Sequence, residues 1–291
     1  MIISVLIPIY NYDCTQLVVQ LLQQLPEDGE IILGDDCSTD VDVARKNLEI
    51  AKFGRCRLFR PDRNLGRAGI RNALAKEARG EWLLFVDADA EVSHQTFIAD
   101  YLAETKFADV VCGGTGNLPQ CPCPDVRLRY DYEVNVEKRL TLQSRQSHPY
   151  SGFTTFNFLI RRSLFLSIGF DESIKAYGHE DTLFGLELKR RCIDVRHIDN
   201  KLIHLGLEAA DVYLAKTETA LQTLSQMDIL LQENVRVSAM VLRLGRLHLL
   251  GLVRFAFKTT QPLLRKNLLG KHPSQVMFSF YKLGFYSTQN A

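Results

Sequence analysis

Acidic residues are missing from the last 57 positions of this 291-residue chain: none follows Glu233, while the same stretch holds nine Lys and Arg. Residues 1–234 carry the balance, 26 basic against 34 acidic groups, a net of −8. An acidic body joined to a basic, apolar tail points to a nucleic-acid or membrane contact. Paired cysteines are also missing. Seven are scattered, and Cys121-Pro-Cys123 is the only close pair. No second pair completes a zinc site, and an odd, scattered set excludes a disulfide framework, so these read as free thiols in a reducing compartment. The start shows neither a charged n-region nor a cleavage site, which reads as no secretory leader. No repeat or low-complexity segment occurs.

What is present is an ordinary globular composition, 46% hydrophobic and 24% charged, at a length for one large or two small domains. Apolar segments at 2–9, 30–35, 56–60, 81–87 and 108–113 read as strands. Helical patterns lie between them, near 14–25, 40–52, 67–78 and 93–104. This rhythm predicts an α/β fold, a mostly parallel sheet with helices on both faces. Further on, 125–146 reads as a polar helix, 153–161 as β-prone, 179–192 as helix, 193–198 as strand and 208–232 as helix. The tail, 235–285, reads as helical with breaks at Pro262 and Pro273.

Strand ends carry the chemistry. The apolar run Leu83–Val86 stops at Asp87-Ala-Asp89. On an extended chain residues i and i+2 point the same way, so both carboxylates are expected to face one spot at the strand's carboxyl end, where open α/β sheets bind ligands. Two such groups repel unless a cation or proton lies between them, and oxygen ligands favour Mg²⁺ or Mn²⁺. Alone, this signal is weak, because Asp also serves ordinary turns. Other strand ends strengthen it. The first closes in Pro8-Ile-Tyr10-Asn11, and Pro8, which cannot donate to a ladder, is expected near that end. The second closes in Asp35-Asp-Cys-Ser-Thr-Asp40, with Ser38 or Thr39 able to cap the next helix. The third leads into Asn64-Leu-Gly-Arg-Ala-Gly-Ile-Arg-Asn72.

These segments, with Gly169-Phe-Asp-Glu172 and Gly178-His-Glu-Asp-Thr182, resemble the family 2 glycosyltransferases in order and spacing over about residues 2–205. The resemblance implies the GT-A fold plus a C-terminal helical extension. Residues 1–115 would form the nucleotide-sugar-binding half, 116–234 the acceptor-binding and catalytic half, and 235–291 a basic amphipathic tail. It also implies an inverting enzyme that moves a sugar from a nucleotide-sugar, most often UDP-linked, to a glycan or lipid-linked acceptor in bacterial polysaccharide assembly. Asp36 would accept a hydrogen bond from the base, with Pro8 and Tyr10 as the wall beside it. The nucleotide-sugar set also takes in Asn11, Asn64, Arg71, Asp87 and Ala88. Asp36 could instead be a helix N-terminal charge, and Arg71 could equally be an exposed helix arginine. Asp89 would be the direct ligand of Mn²⁺ or Mg²⁺, with Asp87 and a distal histidine, His204, completing the set; His197 competes with His204. Asp181 would be the base that deprotonates the acceptor hydroxyl, Glu180 its partner or an acceptor contact, and His179 a weaker candidate. Plain capping of a helix start explains the same acidic pair. Cys37 departs from the family, which usually has Gly or Asn there.

On a helical wheel of ~100° per residue, Arg236, Arg243, Arg246, Arg254 and Lys258 share an arc of about 120°. That predicts an amphipathic helix with one cationic face. Cations interrupt every stretch of the ~20 residues a span requires. Either this helix lies on an anionic membrane, the inner face of the cytoplasmic membrane being the expected place, or it packs on the body or a second subunit. Nucleic acid is not expected, since aromatics do not alternate with basic residues. Two rival functions share the pattern: a sugar-binding scaffold of the same fold without activity, and a phosphohydrolase with an Asp nucleophile. Intact Asp87, Asp89, Glu180 and Asp181 oppose the first. Glu91, where that class has Thr or Val, opposes the second.

Overall fold

A computed structural model describes residues 1–173 and 178–289. The chain opens with β1 (Ile3–Ile9), α1 (Thr15–Leu22), β2 (Gly29–Asp35), α2 (Val41–Ile50), β3 (Cys56–Phe59), α3 (Gly66–Glu77) and β4 (Trp82–Val86). Then come β5 (Ala90–Val92), α4 (Phe97–Glu104), β6 (Val110–Cys112), β7 (Thr115–Gly116), α5 (Arg127–Arg139), α6 (Leu142–Ser147), β8 (Asn157–Arg161) and α7 (Arg162–Ile168). The rest is α8 (Glu180–Arg190), β9 (Val195–His197), β10 (Leu202–His204), α9 (Ala210–Ser225), α10 (Ile229–Asn234), α11 (Arg236–Arg246), α12 (Leu250–Leu268) and α13 (Gln275–Gln289). Two compact units divide these elements. One holds Met1–Gly116, 140–173 and Glu180–Gly206; the other holds Asn117–Arg139, 178–179 and 207–289.

The first unit is the expected α/β body. Its seven-stranded sheet has the order β3-β2-β1-β4-β8-β6-β9, parallel except for β8, which runs antiparallel to both neighbours. Alternation along β1 splits the core between the two faces. Ile3, Val5, Ile7 and Ile9 join Leu17, Val18 and Leu21 of α1. Leu6 points the other way, with Phe85 and Leu74 of α3. Both faces are covered, so β2 is buried along its whole length, as a central parallel strand must be. Below the second face six phenylalanines, Phe85, Phe153, Phe158, Phe165, Phe170 and Phe184, pack ring on ring, Phe85 stacked on Phe158 at 4.8 Å. Phe184 anchors α8 there.

A second, three-stranded sheet, β5-β10-β7, escaped the sequence reading because its strands are two or three residues long. Ala90 pairs with His204 in it. The helix cap also differs from expectation. Neither Ser38 nor Thr39 caps α2; Asp40 does, accepting from Asp42 N and Val43 N. Ser38 is drawn away because its Oγ accepts from Asn11 N at 2.9 Å.

The second unit is helical. Leu128 of α5, Leu214 of α9, Phe257, Leu264 and Leu268 of α12, and Phe278 and Tyr281 of α13 form its core. Two expectations for the tail fail here. The helix breaks at Leu247–Leu249, where His248 takes a left-handed φ of 58°, and Pro262 sits inside α12 without ending it. The single cationic arc therefore does not exist. Arg254 turns inward to the Ser287 carbonyl, Arg265 to Glu218 and Tyr281, and Lys282 over the Tyr132 and Phe278 rings.

Candidate active site

The register Ile9–Asp35 sets the ends of β1 and β2 side by side. Asp36 N then donates to the Ile9 carbonyl at 2.9 Å. Pro8 causes no loss, because β4 pairs with β1 only as far as Leu6. Beyond it Tyr10 stands 53% exposed, free to form a wall. Asn11, with φ 52°, staples the rim. Its Oδ1 accepts from Thr39 N (2.8 Å) and Asp40 N (3.0 Å), and its Nδ2 donates to Thr39 Oγ1 (3.0 Å). Cys37 has φ 62°. That is the left-handed region, which explains why Gly or Asn is the easier residue at this turn.

Asp36 is buried, and its contacts are those of a helix N-terminal charge. Leu65 N donates to Oδ1 at 2.6 Å and Gly66 N to Oδ2 at 2.9 Å, both at the start of α3. Asn64 Nδ2 donates to the Asp36 carbonyl at 2.7 Å. Burial pushes the Asp36 carboxyl up against the pull of the two N–H groups. A base N–H reaching Asp36 would share an oxygen that already accepts, which the second lone pair allows.

Asp87, Ala88 and Asp89 lie in the turn between β4 and β5, so the i, i+2 argument for an extended chain does not apply. The two carboxylates part company. Asp87 Oδ1 accepts from Arg71 Nη2 of α3 at 2.5 Å. Arg71 is 3% exposed, so it is not a surface arginine. Its Nη1 donates to the Arg67 carbonyl at 3.1 Å. Burial pushes the Asp87 carboxyl up and the nearby Asp89 charge adds to this, against Arg71. Asp89 goes instead to the small sheet, where its Oδ2 lies 3.2 Å from His204 Nε2. Ala88 between them is buried.

Of the expected trio of metal ligands, Asp89 and His204 lie together, and Asp87 is turned to Arg71. Among the described residues no three His, Cys, Asp or Glu groups gather as a metal cluster. Asp89 and His204 fit a divalent ion nonetheless. Two ligands each ~2.1 Å from one ion at right angles are about 3 Å apart. A site of one or two protein ligands completed by substrate phosphates and water is the habit of Mg²⁺. Gly206 keeps the place clear, since a Cβ there would collide with the Asp89 carboxylate. Leu205 N donates to the Asp89 carbonyl at 2.8 Å, fixing the loop. His197 loses the competition. It is 1% exposed, with Nε2 on the Pro149 carbonyl at 2.9 Å and Nδ1 on Arg145 at 3.1 Å.

Glu180 and Asp181 open α8. Glu180 pairs with Arg67 of α3 at 3.4 Å. Asp181 Oδ1 accepts from Thr182 N at 2.7 Å. His179, with φ 72°, turns its Nε2 to the Ala220 carbonyl at 3.2 Å. Asn72 ties the Gly169–Glu172 motif to α3, donating to the Phe170 carbonyl and Glu172 Oε1 and accepting from Phe170 N. Sequence reasoning missed Arg67, Asn72 and Gly206 as parts of the site. Arg67 and Asn72 flank Arg71 in one motif, and Gly206 follows His204 by two, so proximity was the available signal.

A mainly parallel sheet with acidic strand tips and an added small sheet defines a GT-A domain. The chain belongs to glycosyl transferase family 2: the profile of that family matches residues 4–169. Among relatives, an uncharacterized glycosyltransferase of Haemophilus influenzae is 37% identical over 90 residues, 30% of this chain and 36% of the relative. The uncharacterized glycosyltransferase EpsJ of Bacillus subtilis is 29% identical over 216 residues, 69% of this chain and 60% of EpsJ. The matches thus span about a third of the first relative's length and three fifths of the second's. Two solved structures share the fold. Mannosyltransferase PcManGT from Pyrobaculum calidifontis, in complex with GDP-Man and Mn²⁺, superposes with TM-score 0.58 at 14% identity, covering 99% of this chain and 85% of that one. Glucosyl-3-phosphoglycerate synthase from Mycobacterium tuberculosis, in complex with Mn²⁺, UDP and glucosyl-3-phosphoglycerate, superposes with TM-score 0.52 at 18% identity, covering 77% and 78%.

Proposed function

We propose that this protein is an inverting glycosyltransferase that takes a sugar from a nucleotide-sugar, UDP-linked by preference, and passes it to a glycan or lipid-linked acceptor in surface-polysaccharide assembly. The observation that carries this reading is the placing of Asp89 beside His204, at the tip of β4, in a chain of glycosyl transferase family 2. Tyr10, Pro8 and Asp36 would receive the base, with Asn11 and Asn64 holding the loops around it. Asp89 and His204 would hold Mn²⁺ or Mg²⁺, which stabilises charge on the leaving diphosphate. Arg71 does not reach outward in this reading; it holds Asp87, and through it the turn that presents Asp89. Asp181 would take the proton of the attacking hydroxyl from the face opposite the diphosphate. Glu180, paired with Arg67, would orient that helix start and line the acceptor side. The acceptor would be met at the inner face of an anionic membrane, through the tail that begins at residue 235.

The test is a panel of nucleotide-sugars, each scored for Mn²⁺-dependent thermal stabilisation and then for transfer. One donor should stabilise the protein with metal only. Asp181→Asn should keep that stabilisation and lose turnover by about 10²–10⁴-fold. Stabilisation by no donor, or full turnover by Asp181→Asn, would refute the reading.

A further inference from the structure

The helical unit carries large apolar side chains on the side away from its own core. On α12, Phe257, Leu264 and Leu268 are buried, while Leu252 (67% exposed), Phe255 (68%) and Leu263 (69%) stand out on the opposite face. Their spacing of 3 and 8 residues puts them on one side of a helix. On α11, Ser238 and Val241 are buried, and the outward positions are Arg236, Met240 and Arg243, continuing to Leu247 at the corner. Both helices pack on α13. Lys258 and Lys266 are exposed beside the α12 residues.

We infer that the outer face of α11 and α12 is a membrane-binding surface whose partner is an anionic bilayer. Charge complementarity decides the partner. Six cations of this stretch, Arg236, Arg243, Arg246, Lys258, Lys266 and Lys271, are exposed, and no carboxylate follows Glu233. A protein partner would meet this apolar stripe equally well, yet a cationic surround broken, among the described residues, at Arg246 alone, where Glu233 lies 3.8 Å away, is the pattern that anionic headgroups over acyl chains satisfy. Among the described residues no helix is long and apolar enough to cross a membrane, so the surface lies on the bilayer. Leu252 and Phe255 would enter the headgroup region while the lysines stay at phosphate level. This differs from the cationic stripe expected from the sequence: exposed apolar side chains and cations share the face. The inference rests on the membrane placement proposed above and names the side chains that make it.

The experiment is flotation of the full chain with phosphatidylcholine vesicles, with and without about 30 mol % phosphatidylglycerol. The wild type should float with the anionic vesicles at least roughly tenfold better than with neutral ones. Leu252→Ser with Phe255→Ser should lose that binding roughly tenfold, and Lys258→Gln with Lys266→Gln should weaken it and its salt sensitivity. All four positions are exposed, and unchanged donor-dependent thermal stabilisation shows that the fold and the sugar-transfer site survive. Equal or absent binding to both vesicles, or unaltered binding by the serine variant, overturns the inference. So does a wild-type dimer that Phe255→Ser converts to monomer without any vesicle binding, which would make a second copy the occupant. These outcomes bear on the membrane placement alone; sugar transfer itself stands or falls on donor stabilisation and turnover.

Discussion

His204 Nε2 stands 3.2 Å from Asp89 Oδ2, although 115 residues separate them. The antiparallel pairing of β10 with β5, His204 opposite Ala90, fixes that distance. Asp89 stands in the turn just before β5 and His204 ends β10, and the bond from Leu205 N to the Asp89 carbonyl at 2.8 Å ties the two together.

Gly206 is required by this pair. Gly206→Ala would drive a methyl into the Asp89 carboxylate, and Asp89 would have to turn away. The variant should keep its fold and lose divalent-metal affinity by about 10–100-fold, the scale of disturbed supporting contacts. Calorimetric titration with Mn²⁺ in the presence of UDP measures it.

Arg71 and Asp87 form an ion pair with the arginine buried and the carboxylate a quarter exposed. Arg71→Ala leaves the mostly buried Asp87 carboxylate without its partner and should cost about 3 kcal/mol or less in urea unfolding. Replacing both, Arg71→Met with Asp87→Leu, should cost less than the sum of the single changes. An additive result would show that they do not act as a pair.

His197 gives the body a pH dependence. Burial lowers its proton affinity, and the Arg145 guanidinium at Nδ1 adds to that. The unfolded chain protonates at the ordinary histidine value, so below about pH 6.5 it binds more protons than the folded chain, and stability falls as pH falls. The melting temperature should drop between about pH 7 and pH 5, and His197→Gln should flatten that drop. An identical slope in the variant would exclude His197 as the cause.

Glu180 and Asp181 are expected to separate by role. Glu180→Gln, which weakens the pair with Arg67, should raise the acceptor KM more than it lowers kcat. Asp181→Asn should lower kcat with donor affinity kept. Steady-state kinetics on both variants distinguish these outcomes.

The body was legible in the sequence because its strands are long enough to show a pattern. β1, β2 and β4 were read within a residue or two at each end, and their tips carried the polar groups that mark a ligand rim. The small sheet was not legible, since a three-residue strand such as Leu202–His204 has no period to detect. The partner of Asp87 was hidden for a different reason. Arg71 lies on a helix whose sequence reads as polar, and only the packing of α3 against the sheet buries it. In the tail, the break at Pro273 was legible, between helices ending at Leu268 and starting at Gln275, and the placing of the cations was not. A wheel assumes one unbroken helix, and the corner at His248 with the inward turn of Arg254 rearranged the face.

The most direct measurement is calorimetric titration of UDP into the protein with and without Mn²⁺, repeated on Asp89→Ala and His204→Ala. Tight binding that needs the metal, and a loss of at least roughly tenfold in each variant, is what the arrangement of Asp89 and His204 predicts. Equal affinity with and without metal, or variants that bind as the wild type does, would contradict it.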